Sequence, residues 1–157
     1  MDRNELLDAV ALALDTQAYG ASYYYDRTTG EVVILYDEVL SGAFSREDLP
    51  EWERELYDVA RTHDLVRIEP IPSYEKYRHM EKFIGMCGSA RIADRLQSAI
   101  NRKRPFANFK DALFRLGIIN RWNEFHDALM REYAESWIKE NIEGYGKEYD
   151  ETQEDEE

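Results

Sequence analysis

Two runs of β-branched and aromatic residues, Ser22-Tyr23-Tyr24-Tyr25 and Val32-Val33-Ile34-Leu35-Tyr36, stand on either side of Asp26-Arg27-Thr28-Thr29-Gly30. Such side chains favour extended backbone, and an Asp that opens the loop with a Gly near its end supplies what a short hairpin turn needs. A hairpin alone is marginal in water and calls for a third strand or a covering helix. Leu65-Val66-Arg67-Ile68 alternates as a short strand and ends at Pro70-Ile71-Pro72, so it is expected to complete a three-stranded antiparallel sheet. Its neighbour in that sheet is left open.

The rest of the chain repeats at the helical period. Leu6, Leu7, Val10, Ala11 and Leu14 mark a helix from about 4 to 14, started by Asp2 or Asn4. A second is expected over about 46–63, capped by Ser45, with Leu49, Trp52, Leu56, Val59 and Ala60 inward. From Ser73 onward every segment reads as helix. Ser73 would cap one that buries Tyr74, Tyr77, Met80, Phe83 and Ile84 and stops at Gly85-Met86-Cys87-Gly88. Ser89 would cap the next, with Ile92, Leu96, Ala99 and Ile100 on one face. Pro105 suits a first helical turn, ahead of Phe106, Phe109, Leu113 and Leu116. The last helix, about 120–141, spaces Trp122, Phe125, Leu129, Tyr133 and Trp137 by threes and fours. The fold expected is α+β, a small antiparallel sheet (hairpin plus one short strand) packed with about six helices and a helical C-terminal half. Residues 1–143 are read as a single domain and 144–157 as a disordered acidic tail.

The net charge of −13 is unevenly spread. Residues 144–157 carry seven acids against Lys147, and 37–58 carry eight acids against Arg46 and Arg54. Residues 76–110 reverse the sign, with nine Lys or Arg against Glu81 and Asp94. An acidic protein is repelled by nucleic acid at long range unless one face gathers its cations. One cysteine, Cys87, forms no internal disulfide, the first residues lack a basic start and apolar run, and no apolar stretch reaches the roughly 18 residues that span a bilayer. These features point to a soluble, cytoplasmic protein with no membrane partner.

Motifs that carry chemistry are few in this chain. No Gly-rich phosphate loop is present, because Gly85-x-x-Gly88 lacks the Lys-Ser/Thr that would follow. His63, His79 and His126 fall on three separate expected helices without a partner one turn away, so no metal centre is expected. Cys87 has no base nearby in sequence and is read as a small apolar residue in a turn. Glu124, Asp127, Glu132 and Glu135 lie mostly opposite the aromatic stripe and are read as a solvated face. The sharpest signal is basic. Arg91, Arg95, Arg102, Lys103, Arg104 and Lys110 surround Phe106 and Phe109, a pattern in which cations neutralise anions and an exposed ring stacks. Burial of both rings would remove the stacking and leave charge alone.

The order Ser73-Tyr74-Glu75-x-Tyr77-x-x-Met80-x-x-Phe83-Ile84 resembles a block of the bacterial uncharacterised protein family 0158. Arg104-Pro105-Phe106-Ala107-Asn108-Phe109-Lys110-Asp111 resembles a second block, followed by Trp122-x-x-Phe125, Tyr133 and Trp137-Ile138. The hairpin residues Tyr24, Tyr25, Asp26 and Thr29-Gly30-Glu31 are similar as well. The resemblance covers the chain apart from 37–62 and the acidic tail. Many members place Gly-Ala where this chain has Arg104-Pro105, and 37–62 is longer and more acidic here. The resemblance implies a small bacterial α+β protein and supplies no activity, cofactor or catalytic residue. The function expected is therefore that of a small acidic interaction or regulatory protein without catalytic activity, partnered by another protein. The alternatives are a nucleic-acid-associated protein that uses 91–110 and an enzyme with an unrecognised site. No cofactor is expected.

Overall fold

The computed structural model describes residues 1–144. The acidic stretch expected to form a tail lies, beyond Gly144, outside the described residues. Seven α-helices and a three-stranded antiparallel sheet make an α+β fold with a helical C-terminal half, as the periodicities predict. Length suggests one domain over 1–143. The chain groups into two compact units, Met1–Pro70 with the residues from Met130 onward, and Ile71–Leu129. No helix among the described residues is long and apolar enough to cross a membrane.

The first unit holds α1 (Arg3–Asp15), β1 (Ala21–Asp26), β2 (Glu31–Tyr36), α2 (Asp37–Leu40), a 3-10 turn (Arg46–Asp48), α3 (Glu51–Thr62) and β3 (Leu65–Ile68). Asp2 caps α1, its carboxylate accepting from the Glu5 N–H at 2.8 Å. The helix buries Leu7, Val10, Ala13 and Leu14. The strand order is β2-β1-β3, so the hairpin's first strand is the central one. Its register pairs Tyr23 with Ile34 on one side and Ile68 on the other.

The hairpin turn is organised by Asp26, which is 1% exposed. One carboxylate oxygen accepts from the Thr28 N–H at 2.9 Å and the Thr29 N–H at 3.4 Å, while the other meets His63 Nδ1 at 2.6 Å. Gly30 closes the loop with φ +78°, a left-handed conformation in which a side chain would be strained. Main chain from the β3 approach joins in, with Arg27 N–H donating to Asp64 O and Asp64 N–H to Thr28 Oγ1. The C-terminal residues of this unit are tied to α1 by charge. Arg3 pairs with Glu135 and Glu143, and Arg131 reaches Asp8 and Asn4.

The expected helix over 46–63 is shorter and differently packed. Pro50 lacks an N–H and holds φ −60° with extended ψ, so a 3-10 turn precedes it and α3 begins only at Glu51. Ser45 is accordingly not a helix cap; its hydroxyl bonds Asp48 instead. Trp52, expected inside, is 56% exposed, and the buried residue of α3 is Glu53. The short helix α2 was not expected. His63 lies just past α3 rather than within it.

The second unit holds α4 (Ser73–Met86), α5 (Ala90–Ile100), α6 (Pro105–Arg115) and the first half of α7 (Ile119–Ile138), which ends in a wide turn at Lys139–Glu143. Ser89 caps α5 as predicted, accepting from the Ile92 N–H. Pro72, rather than Ser73, precedes α4, and Tyr74 is exposed where burial was expected. The core is aromatic. Phe83 meets Phe109 edge-on at 6.3 Å and Trp122 at 5.4 Å, and Phe109 meets Trp122 at 4.9 Å, the geometry that aligns a ring's positive edge with a negative face.

Asp26→Asn should lower stability by about 1–3 kcal/mol at neutral pH, because charge-assisted bonds to His63 and the turn are replaced by neutral ones. Burial raises the Asp26 carboxyl, but the bonds from His63, Thr28 and Thr29 outweigh it and hold it below the ordinary value. A lowered carboxyl contributes stability above its unfolded value of about 3.8 and loses it as pH falls through the folded value. Urea unfolding from pH 7 to pH 3 should therefore show the gap between the two proteins closing. A gap constant with pH would contradict this role.

Candidate interaction surface

Helical spacing places Arg91 and Arg95 one turn apart on α5, on the side away from buried Leu96 and Ile100. Arg102, Lys103 and Arg104 form the connection to α6, and Lys110 lies on α6 itself. All six cations are exposed, and among the described residues none has an ion-pair partner. By contrast, Arg3, Arg46, Arg115 and Arg131 are each paired with a carboxylate.

The connection is held by defined contacts. Arg104 has φ 59° and ψ 57°, and it is the non-glycine residue with positive φ among the described residues. This is the backbone that a glycine takes without strain, and Arg104 takes it at a cost. Asn108 holds it from the helix side, its amide donating to Lys103 O at 2.7 Å and its N–H to Arg104 O at 3.0 Å. Pro105 fills the first helical position, where its missing N–H costs nothing.

The two phenylalanines separate. Phe109 is 1% exposed and belongs to the aromatic core, so it offers no stacking surface. Phe106 stays partly open, and Phe114 is 75% exposed. Phe106, Lys110 and Phe114 follow each other at i, i+4 and i+8 along α6, an aromatic-cation-aromatic line. Phe114 escaped the sequence reading because Leu113 beside it satisfies the apolar period; its position one residue off that stripe was the available signal.

The other candidates are committed elsewhere. The Cys87 thiol is buried and bonds Ile84 O at 3.1 Å, as a turn residue does. His126 stacks on Trp122 at 5.2 Å, and His79 is buried. Glu124, Asp127 and Glu132 are exposed, while Glu135 serves Arg3. The Asp26–His63 pair escaped the sequence reading because its members lie 37 positions apart. It resembles a carboxylate-oriented imidazole, yet Asp26 spends its second oxygen on the turn, and the Thr28 hydroxyl accepts from Asp64 N–H. Among the described residues no group of three or more His, Cys, Asp or Glu could hold a metal ion. A cleft of about 250 Å³ beside Tyr23 and Arg67 brings no His, Cys, Asp or Glu to its wall.

A left-handed conformation costs an L residue about 1–2 kcal/mol, partly offset for glycine by its freer unfolded chain. Arg104→Gly should thus leave stability unchanged or raise it by up to roughly 1 kcal/mol, whereas Arg104→Val should lower it by about 1–2 kcal/mol. Denaturant unfolding of the two variants checks this, and equal midpoints would contradict the assigned strain.

No curated protein and no solved structure matches the chain. The signature of the uncharacterised protein family UPF0158 matches residues 1–151, which takes in the 37–62 segment and reaches into the acidic stretch. The chain belongs to that family.

Proposed function

We propose that this protein is a non-catalytic, cytoplasmic interaction protein of bacteria whose α5–α6 surface binds an acidic, partly apolar segment of another protein. The observation that carries the reading is the pairing of six exposed cations without ion-pair partners with the Phe106-Lys110-Phe114 line. Uncommitted cations set the sign of the partner, and exposed rings supply area that water would rather lose. A catalytic reading finds less support, since the titratable groups that meet are bound up in turns and helix ties.

Nucleic acid is the second reading, favoured by the Arg102-Lys103-Arg104 run beside the partly open Phe106. Burial of Phe109 removes one of the two rings that reading relied on. Phe114, further along α6 than the cation run, suits an apolar side chain of a protein partner better than a backbone of phosphates.

The test uses the full chain with two fluorescent probes of similar charge, an acidic helical peptide bearing Leu and Phe and a single-stranded oligonucleotide. The peptide should bind, Phe114→Ala should weaken it roughly tenfold, and Arg91→Gln with Arg95→Gln and Lys110→Gln should weaken it further. Tighter binding of the oligonucleotide, insensitive to Phe114→Ala, would transfer the surface to nucleic acid. Binding of neither probe would remove the proposal.

A further inference from the structure

The helix α3 in the first unit has the sequence of an amphipathic helix but does not bury it. At 100° per residue, Trp52, Leu56, Val59 and Ala60 share one side of the helix. A surface helix normally sinks such a stripe into the core. Here Leu56, Val59 and Ala60 are only half-buried and Trp52 is 56% exposed. Trp52 rests edge-on against Tyr36 at 6.0 Å, which orients the indole while leaving over half of it open. Phe44, on the connection leading into α3, is 49% exposed.

The cations of this segment are already used. Arg46 makes two bonds to Asp58 at 2.8 and 2.9 Å, Arg54 donates to Arg46 O and Glu47 O, and Arg61 lies 3.8 Å over the Tyr57 ring. The acids are not. Glu51 and Glu55, one turn apart, border the Trp52 side of the stripe and are exposed. On the opposite border Glu53 is buried, and burial together with Glu38 pushes its carboxyl up. The exposed rim of the stripe is therefore anionic and its centre aromatic.

We propose that this α3 surface docks a cationic amphipathic helix from a partner protein. An apolar face of such a helix would meet Trp52, Leu56 and Val59, the i, i+4, i+7 anchors of helix-on-helix recognition. Its Lys or Arg side chains would meet Glu51 and Glu55, and a guanidinium or ammonium would find the face of Trp52. Charge complementarity selects this occupant: an acidic helix with the same apolar face would bring like charges together at both glutamates. The α5–α6 surface is not involved, so this site and that one can stand or fall separately.

The experiment uses the full chain and a fluorescein-labelled amphipathic helical peptide of Leu and Lys, about four turns long. The same peptide with Glu for Lys is the control. Anisotropy should report binding of the Leu/Lys peptide, weakened as salt rises, whereas any binding of the Leu/Glu peptide, which the α5–α6 surface would take, should be indifferent to Trp52→Ala. Trp52→Ala should weaken the Leu/Lys peptide about tenfold or more, and Glu51→Gln with Glu55→Gln should weaken it and flatten the salt dependence. Thermal unfolding of both variants confirms that they are folded; the glutamine pair, being exposed, keeps the test open if Trp52→Ala is not. Binding of the Leu/Lys peptide that ignores both variants would place it on other acids and overturn the proposal. Self-association of the free protein that Trp52→Ala abolishes would also overturn it, since a second copy would then be the occupant.

Discussion

The buried carboxylate of Asp26 holds the first unit in register. A hairpin of six-residue strands can slip by one residue and turn every side chain to the other face, so something must pin its turn. Asp26 does so by accepting two N–H groups of the loop and the ring of His63, which sits at the entrance to β3. A single group thereby sets the turn between β1 and β2 and fastens the strand on the other side of β1. Because the carboxylate is buried, its charge is tolerable only while those donors remain. The cost of desolvation and the gain from three donors are of opposite sign, and the donors prevail.

What could be read from the sequence follows from the range of the interactions concerned. The hairpin, the Ser89 cap and the Pro105 start depend on residues within a few positions of each other, and each is where local chemistry places it. The choice of β1 as the central strand depends on β3, some forty residues away, and no local pattern encodes it. The same limit hid the bond between Asp26 and His63. Arg104 is a mixed case. Its place just before Pro105 marks a helix start, whereas nothing about an arginine signals the left-handed backbone it takes there.

The departure of α3 from its expected packing has a different origin. Periodicity tells which residues share a face, but not whether anything covers that face. Trp52, Leu56 and Val59 share one, as expected, yet Pro50 shortens the helix and the stripe is left half open. The candidate cations show the converse. Their exposure was the expected state for Lys and Arg, but their freedom from ion pairs could not be read without the positions of the acids. In a chain with 33 acids and 20 cations, unpaired cations are the less expected outcome.

Two surfaces, in different units, thus join exposed aromatic area to charge of one sign, basic on α5–α6 and acidic on α3. Ring burial and charge complementarity would play distinct parts on each. Removing apolar area from water is worth about 25 cal/mol per Å² and is indifferent to the partner's sign, whereas charge mostly sets the rate of encounter and penalises the wrong partner. If rings alone were exposed, the two surfaces would compete for the same apolar segments. With Glu51 and Glu55 bordering one and Lys110 within the other, a segment matched to either is mismatched at the other. The charge asymmetry along the chain, which looks like an excess of acid when summed, would act locally, if the proposed docking holds, to keep the two surfaces from accepting the same ligand.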